Sequence, residues 1–168
     1  MKNQWKADNN RIEGTLKNWL TCARKVVVVG IGNPLRKDDY IGGSVVEDLR
    51  GRVSQRVYLI ECETVPESFI GSITKFKPTH VLLIDAGFLN RNPGSLELVD
   101  VLGMADQTAI STHALPLQIF CEYLKKTTGA KITLLVIQPK DTSFGEGLTT
   151  ELKETEGYLA NLLSKSLP

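Results

Sequence analysis

The stretch VVVVGIGNPLRKDDYIGG, residues 26–43, decides how the chain folds. Its run of valines is what a strand covered on both faces looks like. Gly30 and Gly32 then let the backbone turn tightly. A helix is expected from about residue 40 to residue 50, with Ile41, Val45, Val46 and Leu49 as its inner face. A loop made for phosphate would combine glycines with a cation, whereas this one sets Asp38 and Asp39 ahead of Gly42 and Gly43. A dinucleotide fingerprint needs a third glycine three residues after the second, but position 35 is Leu and Gly42 comes too late. Gly-Lys-Ser/Thr, the end of a Walker loop, is absent too. The loop points to carboxylate chemistry.

Outward from that stretch the strand-then-helix pattern repeats. RVYLIE (56–61) reads as a strand, and PESFIGSITKF (66–76) as a helix opened by proline in its first turn. THVLLIDAG (79–87) and KITLLVIQP (131–139) are further buried strands, while GSLELVD (94–100) alternates and suits a half-exposed antiparallel edge. LPLQIFCEYLKKTTG (115–129) is an amphipathic helix closed by lysines and glycine, and residues 148–167 form a last helix. Ahead of the first strand, Ile12, Leu16, Trp19, Leu20 and Ala23 make a helical stripe with Asn9 or Asn10 as its cap. The expected organisation is an N-terminal helical extension over 1–24 and a single α/β domain over 25–168. Its fold class is a three-layer α/β/α sandwich around a five-stranded, mostly parallel sheet with one antiparallel edge strand. Such sheets place their functional crevice beyond the carboxyl ends of the strands.

Composition narrows the classes. The chain has 168 residues, 42% of them hydrophobic and 23% charged, which suits one soluble domain. A net charge of +1 provides no footprint for nucleic acid or an anionic membrane. No apolar run nears the roughly 20 residues of a membrane-spanning helix, and MKNQWKADNN lacks a signal peptide's apolar core. Cys22, Cys62 and Cys121 are odd in number and contain no CxxC pair, so reduced thiols in a cytoplasm are expected.

Three segments leave strand ends with groups that can act: Asn33, Asp38 and Asp39 after the first strand, Asp85 at the tip of LLIDAG, and His113 in STHALPL. Each has a plainer role. Asp38 or Asp39 could cap the next helix, Asp85 could hold loop amides, and His113 could belong to a cap made by Ser111 or Thr112. His80, between Pro78 and the strand, is expected to face solvent. Taken together, two carboxylates and an imidazole form a donor set suited to a borderline divalent ion such as zinc or nickel. HExxH and GxSxG are both absent.

With these residues in view, the chain resembles the nickel–iron hydrogenase maturation proteases. GIGNPLRKDDYIGG, HVLLIDAG, NPGSLELVD, STHALPL, VIQP and GEGLTTEL carry the resemblance, in that order, from about residue 25 to residue 163. It implies a phosphorylase/hydrolase-like fold and an endopeptidase that trims a C-terminal extension from a hydrogenase large-subunit precursor. It also implies metal contacts at Asp39, Asp85 and His113, which are carried over as the catalytic residues. Asp39 is chosen over Asp38 because it stands three residues before Gly42, the family's spacing. The metal implied is nickel brought by the precursor, with zinc or cadmium able to fill the same donors in vitro. Asn33 is expected to tie the loop and Asp38 to cap the following helix. Either a carboxylate base or a nickel-polarised carbonyl could activate the reaction. The partner implied is the large-subunit precursor, met by a cytoplasmic, monomeric protease without nucleic acid or membrane insertion.

One segment departs from the family. An Asp-Gly-Gly-Thr/Ser sequence is usual after the second strand, and ECETVPES stands here, with Glu61 keeping the acid while Cys62 and Glu63 replace the glycines. The departure keeps open a non-catalytic nickel-sensing binding or chaperone module on the same scaffold, and a buried thiol is the favoured reading of Cys62. Peptidyl-tRNA hydrolases share a Gly-Asn-Pro start, but RKDDYIGGSVV lacks the histidine that follows it there.

Overall fold

The computed structural model describes residues 2–103 and 114–168. In chain order the elements are α1 (Lys2–Trp19), β1 (Val26–Gly30), α2 (Ile41–Leu49), β2 (Val57–Glu61), α3 (Ile70–Phe76), β3 (His80–Ala86), β4 (Leu96–Val99), α4 (Ala114–Thr128), β5 (Lys131–Ile137) and α5 (Thr150–Ser166). Short 3-10 helices at Lys37–Tyr40 and Pro66–Phe69 lead into α2 and α3. The strand order is β2-β1-β3-β5-β4, parallel except where β4 runs antiparallel to β5. The expected sandwich, with its single antiparallel edge strand, is the one observed.

The alternation of side chains along the strands creates the two helical layers. Val26 and Val28 of β1 face the layer that holds Leu16 of α1, Val45 and Leu49 of α2, and Leu159 and Leu163 of α5. Val27 and Val29 face the opposite layer, with Ile73 of α3 and Phe120 and Leu124 of α4. Each such fully buried aliphatic side chain contributes about 1.5–3 kcal/mol, so the sheet is held from both faces.

Two local expectations need correction. α1 begins at Lys2, and Asn9 and Asn10 lie inside it rather than capping it. Asparagine costs at most about 0.7 kcal/mol against alanine in a helix, too little to stop one. The helix ends at Trp19, and Cys22 then turns the chain with φ 66°. His80 does not face solvent: it is 3% exposed, with Trp19 edge-on to its ring at 4.9 Å and Thr79 Oγ1 3.0 Å from Nδ1. The sequence around His80 contains no sign that α1 folds over the start of β3.

α2 meets the sheet by backbone rather than by side chains. A methyl on Gly42 would fall on the carbonyl oxygens of Ile84 and Ile31, and one on Gly30 would fall on the Gly42 carbonyl. This close seat places the start of α2, and the 3-10 helix before it, against the tip of β3.

Gly42→Ala should therefore lower the thermal midpoint by about 6 °C or more, since the obstructing atoms are backbone and overpacking there costs about 1–3 kcal/mol or above. Gly14→Ala, in α1 with nothing near the added methyl, should raise it slightly. Calorimetry of both variants checks the pair, and equal midpoints would overturn the close-seat account. Burial first, and then Lys131, hold the His80 imidazole below the ordinary histidine range. The unfolded chain takes up that proton more readily, so this part of the stability is present above about pH 6.5 and is lost as pH falls. Denaturant melts at pH 7.5 and 5.5 should show a smaller loss for His80→Gln than for the wild type.

Candidate active site

The site is built where β1, β2, β3 and β5 end. Asp39 stands in the Lys37–Tyr40 3-10 helix, 5% exposed. Its Oδ2 accepts the Asn33 amide at 2.9 Å, and Asn33 Oδ1 in turn accepts the Leu35 amide at 2.9 Å. Asn33 thus ties the loop, as expected. Gly32 makes the turn possible: its φ is +138°, and a side chain there would run into the Asp39 carbonyl. Asp85 lies fully buried one residue beyond the level at which β1 ends, since Gly30 pairs with Ile84. The Ile31 amide continues the ladder by donating to the Ile84 carbonyl at 2.9 Å. The 3-10 helix that carries Asp39 packs on the strand that carries Asp85, so both carboxylates come to one rim.

His113 lies outside the described residues. Among the described residues, no three His, Cys, Asp or Glu side chains form a metal-holding group.

Asp38 has a different role from the helix cap expected of it. α2 begins at Tyr40 without any side-chain cap. Asp38 is instead fully buried and reaches across the fold to the loop after β5. Its carboxylate accepts the amides of Lys140 (2.9 Å), Asp141 (2.9 Å) and Thr149 (2.7 Å) and the Thr149 hydroxyl (2.9 Å). Thr149 is the residue before α5, so Asp38 caps a helix more than a hundred residues away in sequence. No local pattern could show that partner; only the pairing of two aspartates hinted that one had a structural task.

The segment that departs from the family pattern makes a tight turn. Glu63 holds φ +50°, a left-handed value that glycine adopts freely and a glutamate only at a cost. Its carbonyl accepts the Gly32 amide at 2.7 Å, and the Cys62 amide donates to Gly30 at 3.0 Å, so the loop is stitched to the site loop. Glu61 accepts the Tyr40 hydroxyl at 2.5 Å, a link the sequence did not reveal. Cys62 is 2% exposed, and burial followed by the charge of Asp85 pushes its thiol up to about 12. The buried-thiol reading fits.

Comparison with known proteins bears on the fold and the family. Residues 44–164 match the HycI hydrogenase maturation protease family. A Methanocaldococcus jannaschii protein named for hydrogenase maturation protease activity is 35% identical over 152 residues, covering 86% of this chain and 89% of its own. The hydrogenase 3 maturation protease of Escherichia coli K12 is 28% identical over 128 residues, 76% of this chain and 81% of that protein. The crystal structure of the [NiFe] hydrogenase maturation protease HycI of Thermococcus kodakarensis superposes with a TM-score of 0.85 at 34% identity, over 91% of this chain and 98% of that one.

The three cysteines should separate cleanly in reactivity. Cys22 is exposed, while burial pushes the thiols of Cys62 and Cys121 up to about 12 and keeps them protonated at neutral pH. A chromogenic disulfide reagent at pH 8 should find one fast thiol in the folded chain and all three after denaturation. A second fast thiol lost in Cys62→Ala would refute the burial of Cys62.

Proposed function

The chain belongs to the hydrogenase maturation protease family, hydrolases of peptide bonds, and from that premise we propose that it removes a C-terminal extension from the nickel-loaded large-subunit precursor of a nickel–iron hydrogenase in the cytoplasm. The observation that carries this reading is the pair of buried carboxylates Asp39 and Asp85, one on the 3-10 helix after β1 and the other near the end of β3, two elements that pack on each other. On this reading nickel is part of the substrate. Asp39 and Asp85, with His113 from the segment before α4, offer the precursor's metal site two carboxylates and an imidazole, donors that suit a borderline ion. A divalent ion so held polarises a neighbouring carbonyl or acidifies a water.

The chain's own residues supply orientation. The Asn33 amide fixes one oxygen of Asp39, so little side-chain freedom remains to be lost when substrate arrives. Asp85 projects from a strand flanked by β1 and β5, and pairs with Val136 of β5. A carboxylate not engaged by metal can accept a proton from the attacking water. The non-catalytic alternative rested on the two missing glycines, and Glu63 nonetheless holds a left-handed backbone of the kind glycine adopts freely, which favours cleavage.

Intact-mass measurement tests the proposal. Nickel-loaded precursor incubated with the wild type should lose the mass of a C-terminal peptide. Asp85→Asn and His113→Ala should slow that loss by at least about a hundredfold while keeping the wild-type melting profile within a few degrees. Equal cleavage of nickel-free precursor would remove the metal gate. A stable complex with no change of mass would replace the protease by a binding module.

A further inference from the structure

Six large hydrophobic side chains stand exposed among the described residues, and four of them, Leu35, Val65, Phe88 and Phe144, sit on the four loops that leave the carboxyl ends of β1, β2, β3 and β5. Scattered exposed apolar residues are ordinary. The mounting of two of these is not. Phe144 is 83% exposed on the 140–149 loop, and that loop is tied down by side-chain and backbone hydrogen bonds.

Asp38 holds the loop at Lys140, Asp141 and Thr149. Lys37 Nζ donates to Asp141 at 2.5 Å and to Ser143 Oγ at 3.0 Å, and Arg36 Nε donates to the Thr142 carbonyl at 3.1 Å. Gly145 receives the Lys37 amide at 2.9 Å and donates its own to the Leu35 carbonyl at 2.9 Å, which sets Leu35 beside Phe144. These bonds order the backbone and leave the aromatic ring in water. An aromatic side chain on an already ordered loop loses little entropy when a partner covers it, which is the condition for a binding hot spot.

We propose that Leu35 and Phe144 form a preorganised apolar contact for the folded hydrogenase large-subunit precursor, alongside the cleft that receives its C-terminal segment. This rests on the proposed reading of the chain as a precursor-processing protease. Continuity with the cleft identifies the occupant: Leu35 belongs to the same 33–39 loop as Asn33 and Asp39, so a polypeptide reaching Asp39 from outside passes this loop. Charge argues against a membrane surface. The nearby Arg36, Lys37 and Lys140 are offset by Asp141, Glu146 and Glu151, with Lys37 paired to Asp141 and Lys140 to Glu151. The patch has no net charge for anionic headgroups.

The test is titration of nickel-loaded precursor against the full chain, with cleavage kinetics in parallel. Phe144→Ala should weaken binding and raise KM by about tenfold or more, Leu35→Ser should do so by a smaller factor, and kcat should stay within twofold. Both melting profiles should match the wild type, because neither side chain is buried. Ile119→Ala, at an exposed site on α4, should change nothing. Affinity within twofold of wild type for Phe144→Ala combined with Leu35→Ser would overturn the proposal. So would a loss confined to kcat, or a self-associating chain that Phe144→Ala makes monomeric at unchanged precursor affinity. If the wild type binds the precursor without cutting it, the protease reading fails while the titration still decides the contact. If it does neither, both fall.

Discussion

The contact on which the rest depends is backbone against backbone, where α2 settles onto the ends of β1 and β3 through Gly42 and Gly30. A side chain at either position would clash with backbone and push the helix off the sheet. With the helix seated, the preceding 3-10 turn has nowhere to go but across the tip of β3, and Asp39 arrives beside the strand that ends in Asp85. The site is a consequence of how closely two elements can approach.

The second constraint is a buried charge. Removing the Asp38 carboxylate from water costs several kcal/mol unless its oxygens are satisfied, and amide donors to an ionised group are the stronger class of hydrogen bond. Three backbone amides and a hydroxyl meet that need, drawn from a loop that β5 delivers to the neighbourhood. Adjacent aspartates thus divide the work: Asp38 faces inward to join the first loop to the last helix, and Asp39 faces the rim. The same clamp that holds α5 also fixes the 140–149 loop.

The segment after β2 shows how a left-handed turn is held at a residue other than glycine. Glu63 keeps a left-handed backbone because its carbonyl and its neighbour's amide are both bonded to the 30–32 backbone. Tertiary hydrogen bonds outweigh the few kcal/mol at most that a non-glycine residue pays there. Cys62 fills the apolar layer below, next to Asp85, as a protonated thiol.

The sequence by itself determined the sandwich, its antiparallel edge, the loop that carries Asp39 and the strand that carries Asp85, because buried strands and amphipathic helices are written in local periodicity and turn residues. The role of Asn33 was legible for the same reason: it bonds within its own loop. Only the tertiary structure decided what Asp38 holds, that Tyr40 reaches Glu61, that α1 buries His80, and that Phe144 stands beside Leu35. Each of those depends on partners far apart in the chain, from 21 residues for Tyr40–Glu61 to 111 for Asp38–Thr149. Periodicity reports which face of an element is buried; it does not report which distant backbone will supply a hydrogen bond.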